Sequence, residues 1–202
     1  MFLSEQPWIG RTQWYLAGGT ALALHYGHRQ SVDLDFFLPK DHFSEARLVS
    51  RFDKNTWKTT VIREGTIYGV LHKAKISFIA YSFFKSAKRH HHIGYVSILD
   101  PADIAVMKII AISQRGTKRD FLDLYWYCIH QESLAEVVNR VCRQYPNIDH
   151  NFHHILKSLT YFEDAESDPM PTIFFKADWK EIKAFFRKEV VLVTKSLLRI
   201  SL

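Results

Sequence analysis

The 202-residue sequence predicts an α+β protein, in which a small mixed β-sheet with flanking helices precedes a C-terminal helical bundle. Short runs of alternating apolar and polar residues, separated by frequent turn residues, fill residues 1–99 and are typical of strands. From Asp100 onward, longer segments with helical spacing of apolar residues replace them. We therefore predict two domains, an α/β core at residues 1–99 and a helical domain at residues 100–202.

The first part opens with a strand, a turn and a helix. Residues Trp14–Ala17 predict a short strand that ends at the Gly-Gly turn at 18–19. A helix is expected over Thr20–Tyr26, because Thr20 is a favourable N-cap residue and Gly27 a favourable terminator.

A second strand carries two acidic residues. Residues Val32–Leu38 alternate with period two, which places Asp33 and Asp35 together on one face and large apolar residues on the other. Pro39 ends this strand because it cannot donate to a β-ladder.

The remaining elements follow from the same periodicities. In the first part we expect a helix over 41–52, strands over Trp57–Arg63, Thr66–Leu71, Lys75–Ser82 and Tyr95–Ile98, a hairpin turn at 64–65 and an exposed polar turn at 89–92. In the second part we expect helices over Ala102–Ser113, Lys118–His130, Leu134–Tyr145, Asn151–Phe162 and Lys176–Leu198, with a loop over 163–172.

Composition excludes several classes of protein. Apolar residues make up 47% and charged residues 24% of the chain, which is ordinary for a globular protein. Two cysteines, Cys128 and Cys142, are too few for a disulfide scaffold or a four-cysteine zinc site. No signal peptide is visible and no segment approaches the ~20 apolar residues of a membrane span. We expect a cytoplasmic protein with no membrane partner.

The net charge of +6 is unevenly distributed. Residues 1–99 contain 13 Lys and Arg against 7 Asp and Glu, whereas residues 100–202 contain 14 of each. A basic first part suggests a polyanionic ligand such as a nucleotide or nucleic acid. The alternative is a mildly basic globular domain with no such ligand.

The glycine turn and the acidic strand together suggest phosphate chemistry. Glycines let the backbone approach a ligand closely, and a helix N-terminus favours an anion. The Cα atoms of Asp33 and Asp35 would lie about 7 Å apart at ~3.3 Å per residue. At that spacing both carboxylates can bind one hard cation. Alone, a Gly-Gly pair is usually only a turn and an Asp-x-Asp pair usually solvated surface. Their combination in one strand–turn–helix–strand unit favours a nucleotide-binding site.

The segment LAGGTALALHYGHRQSVDLDFF, residues 16–37, resembles the AbiEii/AbiGii-type nucleotidyltransferases within the DNA polymerase β-like superfamily. These are the toxin-side proteins of AbiE-like bacterial toxin–antitoxin and phage-defence systems. The resemblance implies a nucleotidyltransferase-like fold and transfer of a nucleoside monophosphate from an NTP, with Mg²⁺ or Mn²⁺. It also implies a tRNA or protein acceptor and a cognate antitoxin.

The resemblance continues through DPADIAVMKIIAISQRGTKRDFLDLYWY, residues 100–127. In that family a helix with an Asp and a Lys leads to a helix with an Arg/Lys-Asp-x-x-Asp pattern. The matching residues here are Asp103, Lys108, Arg119, Asp120 and Asp123. From the residues alone, Lys108 is as well explained as a lysine at the edge of the core whose ammonium reaches solvent.

The expected site combines both segments. Lys108 would neutralise the triphosphate, Asp120 would assist the acceptor or complete the metal shell, and Arg29 would contact the nucleotide or pair with Asp33 or Asp35. The expected catalytic residues are Asp33, Asp35, Lys108 and Asp120, of which Asp33 and Asp35 are also the metal ligands. The expected nucleotide-binding and phosphate-binding residues are Gly18, Gly19, Thr20, Arg29, Ser31, Arg119 and Asp123.

One departure from the superfamily pattern bears on activity. A third acid usually lies on a later strand, and the matching position here is Ser77; no acid occurs between Thr66 and Leu99. Two carboxylates alone are few ligands for a two-metal site. The sequence therefore leaves open a nucleotide-binding module without catalysis, and a protein-interaction role in which the basic part docks an antitoxin.

Overall fold

The computed structural model describes residues 2–147 and 151–197. A seven-stranded mixed sheet forms the first part, with strand order β3-β4-β5-β2-β1-β7-β6. The strands are β1 (Tyr15–Ala17), β2 (Leu34–Leu38), β3 (Trp57–Arg63), β4 (Thr66–Leu71), β5 (Ala74–Ala80), β6 (His91–Ile93) and β7 (Val96–Ile98). The β1–β7 and β2–β5 pairs are parallel and the other pairs are antiparallel. The α+β fold predicted from the sequence is confirmed.

Helices flank the sheet and dominate the second part. A short 3₁₀ turn covers Phe2–Glu5. The helices are α1 (Pro7–Gly10), α2 (Gly18–Tyr26), α3 (Glu45–Val49), α4 (Pro101–Gln114), α5 (Lys118–His130), α6 (Leu134–Asn139), α7 (Val141–Gln144), α8 (Phe152–Ser158), α9 (Glu163–Glu166) and α10 (Trp179–Leu197). Asp100 caps α4 by accepting a 2.9 Å hydrogen bond from the Ala102 N–H, as expected for an Asp-Pro helix start. Among the described residues, no helix is both long and apolar enough to cross a membrane.

The register of the central strands places one residue from each in a row. In the β1–β2 pair Ala17 lies opposite Asp35, and in the β2–β5 pair Asp35 lies beside Ser77. Tyr68 on β4 follows next to Ser77. Because side chains alternate along a strand, the Asp35, Ser77 and Tyr68 side chains share one face of the sheet.

The opposite face of β2 belongs to the core. Leu34, Phe36 and Leu38 are buried, and the rings of Phe36 and Phe78 stack at 5.2 Å. This agrees with the alternation in the sequence, although β2 begins at Leu34 and Val32 is exposed. The hydrophobic core runs continuously from the sheet into the helical part. The division at residue 99 therefore stays a prediction, although the chain does pass there from β7 into α4.

Two local predictions are wrong. The helix expected from Thr20 begins at Gly18, and Ala17 is its N-cap residue, because the Thr20 hydroxyl donates to the carbonyl oxygen of Asp33 instead. The polar turn expected at 89–92 is partly an edge strand: β6 pairs with β7 through a turn at Gly94, whose φ is +55°.

Several element boundaries also differ. The helix expected over 41–52 is only α3, since Ser44 caps it by accepting from the Arg47 N–H. The helix expected over 134–145 is divided at Arg140 into α6 and α7, and the loop expected at 163–172 contains α9. The expected end of the last helix, Leu198, lies outside the described residues.

Candidate active site

The glycine turn meets the acidic strand at the start of α2. Gly18 has a φ of +71°, a left-handed conformation that favours glycine. A Cβ added at Gly18 would lie 3.0 Å from Oδ2 of Asp35. The carboxylate of Asp35 therefore packs directly against the backbone at the N-terminal end of α2.

Asp35 is held from its other side by Ser77. The Ser77 hydroxyl donates a 2.6 Å hydrogen bond to Oδ1 of Asp35. Ser77 is buried and Asp35 half-buried, while Tyr68 beyond them is exposed. The structure thus places Ser77 directly beside Asp35, at the position where the sequence comparison expected a third acid.

Asp33 lies in the loop just before β2, and 40% of its side chain is exposed. Its Oδ2 lies 3.5 Å from Nη1 of Arg119 on α5, a mostly exposed guanidinium. Its backbone oxygen accepts a hydrogen bond from Thr20, whose hydroxyl is 2.8 Å from that of Ser31. Thr20 and Ser31 therefore fix the loop that carries Asp33.

Two cavities open at this site. One, of about 260 Å³, is lined by Asp33, Asp35, Ser77, Tyr68 and neighbouring residues of β3, β4 and β5, among them Lys75. The other, of about 370 Å³, is lined by Asp33, Arg119, Arg29, Ser31 and the segment 168–172. Asp33 borders both cavities, so a ligand in either can reach its carboxylate.

The donor set suits a hard divalent cation that arrives with its nucleotide. Carboxylate oxygens are the preferred protein ligands of Mg²⁺, which commonly uses one or two of them and takes the rest from substrate phosphates and water. Within the described residues, no group of three or more His, Cys, Asp or Glu side chains is arranged to hold a metal ion. Asp33 and Asp35 therefore fit a cation bound jointly with a triphosphate better than a cation held by protein alone.

Behind these acids lies a buried ion-pair network that joins the loop after α2 to α4 and α5. Lys108 on α4 bonds to two carboxylates on α5, at 2.8 Å to Asp120 and 2.7 Å to Asp123. Arg29 binds Asp123 through two of its three guanidinium nitrogens, Nε at 2.6 Å and Nη2 at 2.9 Å. His28 adds a 2.8 Å contact from Nε2 to Asp123.

The network includes residues of the short connection between α4 and α5. Arg115 Nε lies 3.0 Å from Oδ2 of Asp120, which also accepts a 2.7 Å hydrogen bond from the Thr117 hydroxyl. Gly19 is needed for this packing, since a Cβ there would lie 1.9 Å from Nη2 of Arg29 and 2.9 Å from Oδ2 of Asp123. Gly19 therefore contacts the network, whereas Gly18 contacts Asp35.

Charge pairing keeps the network ionised despite its burial. Burial alone would raise the pKa of Asp120 and Asp123, but Lys108 and the neighbouring arginines lower both well below the usual range. Burial alone would lower the pKa of Lys108, but the two carboxylates raise it. Lys108, Asp120 and Asp123 therefore stay charged at neutral pH.

These contacts change what is expected of several residues. Arg29 pairs with Asp123 and not with Asp33 or Asp35, the pairing that the sequence analysis considered. Lys108, Asp120 and Asp123 are buried and satisfied by one another, and their direct contact with a nucleotide stays a prediction. Asp103 lies apart, accepting hydrogen bonds from the Ala87 and Lys88 N–H groups and from Gln144.

Comparison with known proteins establishes the family. The family model described as "Nucleotidyl transferase AbiEii toxin, Type IV TA system" matches residues 9–193. The chain belongs to the AbiEii family. The uncharacterized protein aq_aa25 of Aquifex aeolicus (strain VF5) is 39% identical over 184 residues, covering 87% of this chain and 85% of that protein.

Two solved structures share the AbiEii-family fold seen here. JHP933 from Helicobacter pylori has a TM-score of 0.55 at 18% identity, covering 98% of this chain and 90% of that one. MenT4, a nucleotidyltransferase toxin from Mycobacterium tuberculosis H37Rv, has a TM-score of 0.51 at 14% identity, covering 91% of this chain and 76% of that one. The nucleotidyltransferase fold expected from the sequence is thereby confirmed.

Two contributors to the site of this AbiEii-family chain were not predicted from its sequence. His28 carries no periodic or motif signal, because its partner Asp123 lies 95 residues away. The segment around Ile173 pairs with Arg29 as a β-bridge, flanked by hydrogen bonds from the Gln30 N–H to the Thr172 oxygen (2.9 Å) and from the Phe174 N–H to the His28 oxygen (2.9 Å). The second part of the chain therefore holds the loop before Asp33 through backbone contacts as well as ion pairs.

Proposed function

We propose that this AbiEii-family chain transfers a nucleoside monophosphate from an NTP, with Mg²⁺ or Mn²⁺, to a tRNA or protein acceptor. Family membership supports a nucleotidyltransferase toxin. The observation that carries the proposal is the contact between Gly18 and Asp35, which brings a helix N-terminus together with a carboxylate that would bind the cation.

The residues of this site have distinct proposed roles. Asp33 and Asp35 would hold the cation, which when bound neutralises charge on the triphosphate. The N–H groups at the start of α2 favour a phosphate there. Arg119, with 59% of its side chain exposed beside Asp33, is free to swing onto phosphate oxygens in the 370 Å³ cavity.

The buried network has a positioning role in this proposal. From the sequence we expected Lys108 to neutralise the triphosphate and Asp120 to assist the acceptor or complete the metal shell. Because Lys108 Nζ already bonds both Asp120 and Asp123, we assign these residues to fixing α2 and the loop carrying Asp33 against α4 and α5. Their effect on transfer is then indirect, through the geometry of Asp33 and Asp35.

The acceptor and partner follow from charge and family. A net charge of +6, located entirely in residues 1–99, supports an RNA acceptor over a neutral one. Membership in a toxin family of toxin–antitoxin systems supports a cognate antitoxin as a protein partner.

Incubation with each radiolabelled NTP and total tRNA tests the proposal. We expect label in tRNA or in protein with wild type and none with Asp35→Ala. Glu64→Ala, which removes an exposed carboxylate from the β3–β4 turn, is the matched control and should transfer normally. Equal transfer by wild type and Asp35→Ala would contradict the proposal.

A nucleotide-binding module without catalysis is a second candidate, favoured by Ser77 in the place expected for a third acid. Isothermal titration separates the two candidates. Binding of Mg-NTP that depends on Asp35, with no label transferred to any acceptor, would support the binding module.

A further inference from the structure

A groove of about 760 Å³ lies at the other end of the β1–β2 strand pair from Asp35. It is bordered by α1, by residues 11–14 before β1, by Leu38 at the end of β2, and by α3. Asp35 and Leu38 are three residues apart on one strand, about 10 Å. The groove is thus separate from the cavities at Asp33.

The charge of this groove is one-sided. Four exposed cations line it: Arg11, Lys40, Arg47 and Arg51. No acidic residue lines it, and among the described residues none of the four cations forms an ion pair. Like charges gathered around one concave surface repel each other and attract an anion.

The acids nearest in sequence to Lys40, Arg47 and Arg51 are occupied elsewhere. Asp41 accepts a hydrogen bond from the Ser82 hydroxyl, and Glu45 accepts one of 2.8 Å from the Gly65 N–H. Asp53 accepts one of 2.6 Å from the Asn55 N–H. None of these carboxylates is directed into the groove, so its positive field is not neutralised from within.

Aromatic rings line the same groove. Trp8, Phe43 and the buried Trp14 border it, with the Trp14 and Phe43 rings edge to face at 5.0 Å. Trp8 is half-buried against Phe52. Three of the four cations are arginines, whose planar fork matches phosphate oxygens. Positive charge interleaved with aromatic faces is the arrangement that binds single-stranded nucleic acid.

We propose that this groove binds a single-stranded segment of nucleic acid, with backbone phosphates at its arginines and Lys40 and a base against Trp8. The inference deepens the proposed function in one respect, because it gives an RNA acceptor a docking surface apart from Asp33 and Asp35. Binding at the groove needs no transfer chemistry and is measured without it.

Fluorescence anisotropy with a short labelled oligouridylate, titrated between about 50 and 200 mM salt, tests the proposal. With four phosphate contacts, we expect log K to fall against log salt with a slope of about −3 for wild type. Arg47→Gln/Arg51→Gln should reduce the slope by roughly half. Lys58→Gln/Arg63→Gln, which removes the same charge from exposed positions on β3, is the control and should keep the wild-type slope.

Three outcomes would overturn the proposal: an unchanged slope for the groove variant, an equal change in the control, or displacement of RNA by an equally short oligoglutamate at similar concentration. The last would identify an acidic peptide as the ligand.

Trp8→Leu keeps the apolar contact with Phe52. It should weaken oligouridylate binding at least about fivefold and leave the salt dependence of binding unchanged. An unaltered affinity would contradict a stacked base.

Asp35→Ala separates this proposal from the proposed function. We expect Asp35→Ala to bind the oligouridylate as wild type does while losing transfer. If transfer is absent in wild type but binding follows the groove variants, only the catalytic proposal fails. Thermal melting of each variant confirms that it is folded.

Discussion

Ser77 on β5 donates a 2.6 Å hydrogen bond to Oδ1 of Asp35 on β2, from the position directly beside it in the sheet. The hydroxyl fixes one carboxylate oxygen and leaves Oδ2 facing the backbone of Gly18. Hydrogen bonds of this kind orient metal-binding carboxylates and tune their affinity. Ser77 therefore supports Asp35 without adding a third negative charge to the site.

Removing this hydroxyl should weaken cation use. We expect Ser77→Ala to raise the Mg²⁺ concentration needed for half-maximal NTP binding by about 10–100-fold, because Asp35 loses the group that orients it. Isothermal titration of NTP at several Mg²⁺ concentrations measures the change. Ser97→Ala, which removes a serine hydroxyl from β7 of the same sheet, is the control and should leave the Mg²⁺ requirement unchanged.

The left-handed glycine at the start of α2 gives a second prediction. Gly18→Ala should cost about 1–2 kcal/mol of stability through its positive φ and abolish Mg-NTP binding, because its Cβ would contact Asp35. Gly27→Ala is a close match, since Gly27 has a φ of +60° and open space around its Cβ position. Gly27→Ala should lose a similar amount of stability and keep nucleotide binding. Loss of binding in both variants would mean that backbone strain, and not contact with Asp35, causes the loss.

Gly18 and Gly19 lie against two different parts of the site, and only the part beside Gly18 could be predicted from the sequence. The Gly-Gly turn and the Asp-x-Asp strand are close in the sequence, so period-two alternation and turn chemistry were enough to bring Asp35 opposite the turn. The α5 helix was predicted with its observed bounds because its apolar residues recur with helical spacing. Local patterns therefore predicted that Asp35 lies beside the glycine turn and predicted most of the surrounding elements, although Asp33 lies just before β2.

Long-range polar contacts could not be predicted in this way. Arg29 and Asp123 are 94 residues apart, and no periodicity states which carboxylate an arginine will meet. Thr20 is a favourable residue type for an N-cap, but in the fold its hydroxyl donates to the carbonyl oxygen of Asp33. The edge strand β6 was missed because its exposed histidines give no apolar alternation.

Two arginines near the site should behave in opposite ways. Arg119→Ala should raise the NTP concentration required for binding with little change in melting temperature, because its guanidinium is mostly exposed beside Asp33. Arg29→Ala should instead lower the melting temperature substantially, because it removes a buried bidentate partner of Asp123. Titration and thermal melting of both variants check this, and a stable Arg29→Ala protein with weak NTP binding would place Arg29 at the ligand.

The buried network should dominate the stability of the contact between the two parts of the chain. Asp123→Asn leaves Lys108 and Arg29 with one fewer carboxylate in a buried setting, and we expect a loss of about 3–5 kcal/mol in the free energy of unfolding. Urea denaturation measures it. Glu166→Gln, which breaks the exposed pair with Lys183, should have a far smaller effect. Similar losses in both variants would mean that burial of the network adds nothing to the cost of removing a charge from it.

The same network predicts how stability depends on pH. Burial opposes ionisation of Asp120 and Asp123, but Lys108 and the arginines hold the pKa of both below the value of about 3.9 in an unfolded chain. A carboxyl whose pKa is lower in the folded state stabilises the fold above its unfolded pKa and loses that contribution as the pH falls toward the folded pKa. The contribution of Asp120 and Asp123 to stability should therefore be constant from about pH 7 to pH 5 and decline below it.

Comparison of variants isolates this effect. Burial raises the pKa of Asp103, which gives that carboxyl the opposite pH dependence, so the wild-type curve alone mixes the two. The difference in unfolding free energy between wild type and Asp123→Asn removes the contribution of Asp103. We expect that difference, measured by urea denaturation at several pH values, to be largest near pH 7 and to shrink steadily from about pH 5 to pH 3. A difference independent of pH would mean that Asp123 stabilises the fold through packing and neutral hydrogen bonds, and not through its charge.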